Sequence, residues 1–256
     1  MKRRPPRISP SEPVSEVRRV PIVECGEPLV PYLEVCPGLL VDPPRFDYER
    51  VHYLRKTVAE MLCRAVRSLP KGYRLSIIEG WRPPHIQRRM YLAIWQRFKE
   101  RHPDWSDLQL KRVVNRYTAP VDSPKVPPPH TTGAAIDVVL ASADGAPLDL
   151  RSPFEWQDPR SFPLYAKGLS EKALTHRRIM AEALERAGLT NYPSEFWHWS
   201  YGDQGWAYRT ANDHAIYGPT QPEGWQPNLK DVADEALTWV FDPSRYALDP
   251  SRAPRE

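Results

Sequence analysis

The chain has 256 residues, 41% of them hydrophobic, which is enough for one domain of ordinary size with a buried core. Its 36 basic and 32 acidic residues leave a net charge of only +4, with Lys and Arg spread along the chain, which argues against a dedicated nucleic-acid surface. The 30 prolines point to ordered loops and extended arms and away from a helical bundle.

Residues 1–19 read as a flexible arm that is basic at its start. No apolar run follows, as a secretory signal requires. No stretch approaches the length of a membrane span, and the expected location is the cytoplasm. Cys25, Cys36 and Cys63 have no metal-ligand spacing and cannot all pair, so free thiols in a reducing compartment are expected. Short strands are expected at 20–23 and 32–35. A helix is expected over 46–69 from the three-four spacing of Val51, Leu54, Val58, Leu62, Ala65 and Leu69. Asp47 would cap it, and Pro70-Lys71-Gly72 would stop it. Residues 73–78 read as a strand with Leu75 and Ile77 on one face. It delivers Glu79-Gly80-Trp81-Arg82 to its end, where Pro83-Pro84 turns the chain away. Rigid scaffolds hold chemistry at such ends, so Arg82 is a candidate functional residue, with a surface ion pair as the plain alternative.

Two further helices are expected, at 85–101 with Ile86, Met90, Ala93, Ile94 and Phe98 inward, and at 107–117. A proline-rich connection then reaches His130, followed by Gly133 and by Asp137 within an apolar strand at 134–140. Apolar neighbours disfavour a charged carboxylate, so a buried Asp137 needs a cation or hydrogen-bond donors. A metal with His130 as nitrogen ligand would satisfy it. A turn histidine and a backbone-capping aspartate explain the stretch equally well. The last strong helix runs over 170–187, with Ser170 as N-cap and Gly188 as stop. His176, beside Arg177 and Arg178, is expected on its solvated side.

Glu195 and His198 follow, three apart among aromatics, in an expected strand at 195–199. Positions three apart on a flat strand face opposite ways, so a bulge or the strand's start must re-aim Glu195 if both serve one site. His130, Asp137 and His198 supply two nitrogens and one oxygen, the pattern of a catalytic zinc with one open position. Glu195 is then the spare carboxylate that can take a proton from water. Residues 206–208 read as a strand. Residues 219–256 read as a proline-rich arm packed on the domain, with a short helix around 232–240.

Three motifs together resemble the zinc D-alanyl-D-alanine dipeptidases. They are Glu79-Gly80-Trp81-Arg82-Pro83-Pro84, then His130, Gly133, Ala135 and Asp137, then Glu195 and His198. They occur in the family's order, and the resemblance spans about 24–218. Pro128 stands where the family usually has a serine next to the substrate. The resemblance implies an α+β fold of the Hedgehog/DD-peptidase-like type. That fold has a small, mainly antiparallel sheet, helices packed on one side, and the zinc site in a cleft at the sheet. It also implies one Zn2+ per chain on His130, Asp137 and His198, with Glu195 and Arg82 as catalytic residues. Glu155 is the nearest match to the acidic residue that holds the substrate's amino group. There Glu replaces the usual Asp, Arg151 the usual Gly, and a solvated loop acid is the plain alternative. The division this suggests is an arm at 1–19, a dipeptidase domain at 20–218 and an extension at 219–256.

The implied activity is hydrolysis of the D-Ala-D-Ala dipeptide to two D-alanines, with a small dipeptide as partner and neither nucleic acid nor membrane. A D,D-carboxypeptidase acting on cell-wall peptides is one alternative, disfavoured because no export signal or wall-binding module is seen. A non-catalytic zinc-stabilised binding module is another, which would need neither Glu195 nor Arg82.

Overall fold

The computed structural model describes residues 12–123, 125–156, 158–233 and 235–242. In chain order the elements are α1 (Val14–Val17), β1 (Leu29–Pro31), α2 (Tyr32–Val35), β2 (Leu40–Val41), β3 (Tyr53–Arg55), α3 (Lys56–Ser68) and β4 (Tyr73–Glu79). Then come α4 (Pro84–Arg101), α5 (Asp107–Val114), β5 (Ala135–Ser142), α6 (Glu171–Arg186), β6 (Thr190–Asn191), β7 (His198–Ser200) and α7 (Gln204–Arg209).

The main sheet has the order β2-β4-β5-β7-β6. Only the β2–β4 pair is parallel. A mixed α+β architecture with a mainly antiparallel sheet is therefore present, as expected. Alternation along the central strands sorts the residues. Leu75 and Ile77 of β4 and Ile136, Val138 and Leu140 of β5 are fully buried. They join Val58, Ala59 and Leu62 of α3 and Met180, Ala181 and Leu184 of α6 in one core. Asp137 lies on the opposite face, as period two requires. A register shift between Ile77 and Glu79 makes Glu79, rather than Ile78, the partner of Asp137. The bulge turns Glu79 away from the core.

Several elements differ from the sequence reading. Residues 32–35 form a helical turn after Pro31 because Tyr32 swings into the core, at 2% exposure. The helix expected from residue 46 starts only at Lys56, because residues 53–55 pair with β1 instead. Leu54 is buried in either arrangement, so its apolar spacing could not separate them. The Asp47 N–H donates to the carbonyl of Thr238, and Asp47 caps no helix. Residues 20–23 contribute one bridge, Ile22 to Ala215.

Residues 206–208 are helical, since the Asp203 side chain accepts the Trp206 N–H at 2.6 Å and caps α7. Residues 229–231 make one turn of 3-10 helix, and the expected helix at 232–240 is absent among the described residues. There Trp239 instead bridges to Phe46. His176 is buried, and its Nδ1 lies 2.7 Å from the Asp149 carbonyl. The neighbouring Arg177 is buried too, donating to the carbonyls of Leu150, Ser161, Pro163 and Leu164. Helical spacing predicts a face, not which loop will cover it. Residues 12–19, read as part of a flexible arm, are held in place. Val17 is buried, and Glu12 pairs with Arg209 of α7. The remaining arm residues, 1–11, and residues 243–256 lie outside the described residues.

Candidate metal centre

His130 sits in a 3-10 turn, Pro129–Thr132, that its own side chains stabilise. The Thr131 hydroxyl donates to the Pro128 carbonyl at 2.7 Å, and the Thr132 hydroxyl to the Pro129 carbonyl at 2.6 Å. Gly133 ends the turn at φ +70°, where a Cβ would lie 2.2 Å from Leu29 Cδ2. Asp137 then enters β5 directly opposite His198 on β7 and beside Glu79 on β4. Three neighbouring strands thus place a carboxylate, a second carboxylate and an imidazole in one row, at cross-strand contact distance.

His130 Nδ1 lies 2.9 Å from the Gly80 carbonyl, which can only accept, so Nδ1 carries the proton. The Nε2 lone pair is left facing Asp137 Oδ1 at 3.4 Å, and His198 Nδ1 lies 3.0 Å from the same oxygen. The three donor atoms fall within 4.8 Å of one another. Lone pairs of two imidazoles and a carboxylate aimed at one point repel unless a proton or a cation lies among them. The donor set, with the Gly80 carbonyl fixing the His130 ring from behind, therefore fits a divalent metal. Burial would raise the Asp137 carboxyl. The two imidazoles outweigh it by charge and hydrogen bonding and hold the group well below the usual carboxylate range.

Glu195 lies in the turns ahead of β7, outside the strand. Its N–H donates to Tyr192 at 3.0 Å, and its carbonyl accepts from the His198 N–H at 3.2 Å. The curl removes the strand parity that would have put Glu195 and His198 on opposite faces, so both line one cleft. The Glu195 carboxyl is pushed up to about 8, by burial first and by the Asp137 charge second, with His130 and Arg82 opposing.

Arg82 follows β4, and its N–H donates to the His130 carbonyl at 3.1 Å. Its guanidinium is buried, with Nε 3.3 Å from Glu79 Oε2 and Nη1 2.7 Å from Gln87 Oε1. Tyr48 donates its hydroxyl to the same Glu79 oxygen. Burial disfavours the Arg82 cation, but Glu79 and Asp137 more than compensate, so it stays charged. Trp81 is fully buried and ties the two motifs together, its Nε1–H reaching the carbonyls of Thr131 and Thr220 at 3.2 and 2.8 Å.

The cleft has a volume of about 620 Å³ and is lined by Arg82, His130, Asp137, Glu195 and His198, with Pro128 in its wall. Glu155 is exposed in its loop and is not among the lining residues, whereas its neighbours Arg151 and Trp156 are. The sequence reading missed Arg55. It is 1% exposed and braces the metal turn, donating from Nε to the Thr132 carbonyl at 2.8 Å and pairing with Glu24 at 2.8 Å. A lone arginine inside an apparent helix carries no signal of that role. Among the described residues no helix is long and apolar enough to cross a membrane.

The D-Ala-D-Ala dipeptidase family model matches residues 47–216. A D-alanyl-D-alanine dipeptidase from Synechocystis is 27% identical over 229 residues, which is 79% of this chain and 93% of that protein.

Proposed function

The chain belongs to the D-Ala-D-Ala dipeptidase family of metallopeptidases, and on that premise we propose that it hydrolyses the peptide bond of D-Ala-D-Ala using zinc. The observation that carries this reading is the convergence of His130, Asp137 and His198 within 4.8 Å on the cleft that Glu195 also lines. Two imidazoles and a carboxylate would hold the ion. Zinc suits that set, and when bound it would lower the pKa of a water towards ~7.

The chain's own residues do the rest. Glu195 takes a proton from the attacking water and can return it to the leaving amine. Arg82, already aimed by Glu79 and Gln87, donates to the carbonyl oxygen as negative charge develops there. The Gly80 carbonyl holds His130 in the tautomer that offers Nε2. Aromatic walls such as Trp197, Phe162 and Tyr192 limit water around the charges.

The test pairs metal analysis with an assay. His130→Ala, Asp137→Ala and His198→Ala are expected to lose most bound zinc, and Glu195→Gln to keep it while losing turnover. The zinc-loaded chain should cleave D-Ala-D-Ala in preference to L-Ala-L-Ala. Full zinc in His198→Ala would overturn the ligand set, and equal rates on both dipeptides would overturn the substrate.

A further inference from the structure

Two neutral side chains outside the three motifs close around the Arg82 guanidinium. Tyr48, in the loop before β3, donates its hydroxyl to Glu79 Oε2, the oxygen that Arg82 Nε reaches at 3.3 Å. Burial first and the Glu79 charge second push the Tyr48 hydroxyl well above its ordinary value, so it keeps its proton and donates. Gln87, buried in the first turn of α4, accepts from Arg82 Nη1 at 2.7 Å. Its amide nitrogen donates to the Thr118 hydroxyl at 3.0 Å and to the Ala119 carbonyl at 2.9 Å. Arg82 only donates and the Ala119 carbonyl only accepts, so the amide can face only this way.

A guanidinium has five N–H donors. Glu79 holds the Nε donor and Gln87 one on Nη1, and the Nη2 end has no hydrogen-bond partner among the described residues. Arg82 lines the cleft, and Nη2 is not sealed off as a buried unpaired donor, so that end opens on the cleft.

The balance of charge around Arg82 is what the two neutral groups set. A carboxylate alone with a guanidinium tends to take its fork in a two-point pair. Here Glu79 holds only Nε, at 3.3 Å, and shares that oxygen with Tyr48. The second acceptor, Gln87, fixes Nη1 without adding a negative charge. Arg82 is thus fixed in direction at two points, and the one carboxylate bonded to it is itself partly satisfied by Tyr48.

We infer that Tyr48 and Gln87 are positioning residues that turn the Nη2 end of Arg82 to the cleft and keep Glu79 from neutralising it. That end is then the donor available to the developing oxyanion. This role rests on the proposed hydrolysis, and both side chains act through Arg82.

The test is a double-mutant cycle on the zinc-loaded full chain, with kcat and KM for D-Ala-D-Ala measured separately. Tyr48→Phe and Gln87→Ala are each expected to lower kcat about threefold to tenfold, the effect of one hydrogen bond, with KM changed less than about twofold. In an Arg82→Ala background the same substitutions should change kcat little, because the group they position is gone. Residues that merely support the fold would lower kcat by the same factor in both backgrounds, and that outcome would overturn the assignment. A loss confined to KM would overturn it too. If Tyr48→Phe does not fold, Gln87→Ala carries the cycle, since alanine suits the helix and leaves room for water. A wild-type chain that turns over, with single variants that match its kcat, removes the positioning role and leaves the hydrolysis standing. No turnover by the zinc-loaded wild type removes both together.

Discussion

Glu195 and Arg82 oppose each other electrostatically, and each makes a distinct prediction. In the metal-free protein the Glu195 carboxyl is pushed up to about 8 by burial and by Asp137. Its folded value lies above that of an unfolded glutamate, near 4.3, so the folded state binds this proton more tightly. The resulting stability is fully present below the unfolded pKa and is lost as pH rises through about 8. The melting temperature of the metal-free protein should therefore fall between pH ~5 and ~8.5 more steeply in wild type than in Glu195→Gln. Parallel curves would mean that the carboxyl is not desolvated. Arg82 is predicted to act in the transition state. Arg82→Ala should lower kcat about a hundredfold to a thousandfold, with KM little changed. Arg82→Lys keeps the charge without the planar fork and should recover only part of the loss. Normal kcat with raised KM would make Arg82 a ground-state anchor for the substrate's carboxylate.

Among the elements, the turn carrying His130 is the most constrained. Gly133→Ala would impose a side chain at φ +70° and a Cβ 2.2 Å from Leu29 Cδ2 and 3.3 Å from the Arg55 N–H nitrogen. A left-handed non-glycine costs about 1–2 kcal/mol and overpacking about 1–3, so a loss of about 2–5 kcal/mol is expected. Thermal unfolding measures it, and zinc affinity should fall with it, because His130 moves with the turn. Unchanged melting would show that Leu29 repacks at little cost.

The same elements show what the sequence revealed. β4, β5, α4 and α6 were legible because their apolar period is long and their ends carry strong stop signals at Pro70, Pro83 and Gly188. His130, Asp137, Glu195, His198 and Arg82 were legible as candidates because few residue types suit metal and proton-transfer chemistry, and the fold brings all five to one cleft. Residues 46–55 were not, because sheet pairing with β1 overrode a helical period that Leu54 satisfies either way. Nor was the buried role of His176 and Arg177, whose partners are carbonyls of a distant loop. Glu155 was singled out by alignment to a motif that the chain departs from at Arg151. At that place Arg151 and Trp156, and not Glu155, line the cleft.

At the scale of the whole molecule, chain on both sides of the family match packs around the cleft. Glu12 pairs with Arg209, so removing residues 1–7 should leave hydrolysis intact, while removing 1–19 should not. The C-terminal side is the stronger case. Trp225 meets Trp81 edge-on at 5.0 Å, and the Thr220 carbonyl accepts from the Trp81 indole. Arg89, buried on α4, donates to the carbonyls of Asp231 and Glu235 at 2.9 and 3.1 Å. Leu237 is 4% exposed and completes a small core with Phe46 and Ile86. Truncation after Gly218 would leave the Arg89 donors without these carbonyls and open that core. Leu237→Ala isolates the packing part of the effect and should cost about 2–5 kcal/mol in unfolding free energy. The truncation should cost more than the point variant, since it also uncovers Phe46 and Ile86 and exchanges the Arg89 hydrogen bonds for water at about 1 kcal/mol each. Urea unfolding of the three proteins, followed by tryptophan fluorescence, orders them directly. If the truncated chain unfolds at the same urea midpoint as the full chain, α4 does not depend on this segment. The cleft wall formed by Trp239 would then be an addition to an independently stable body.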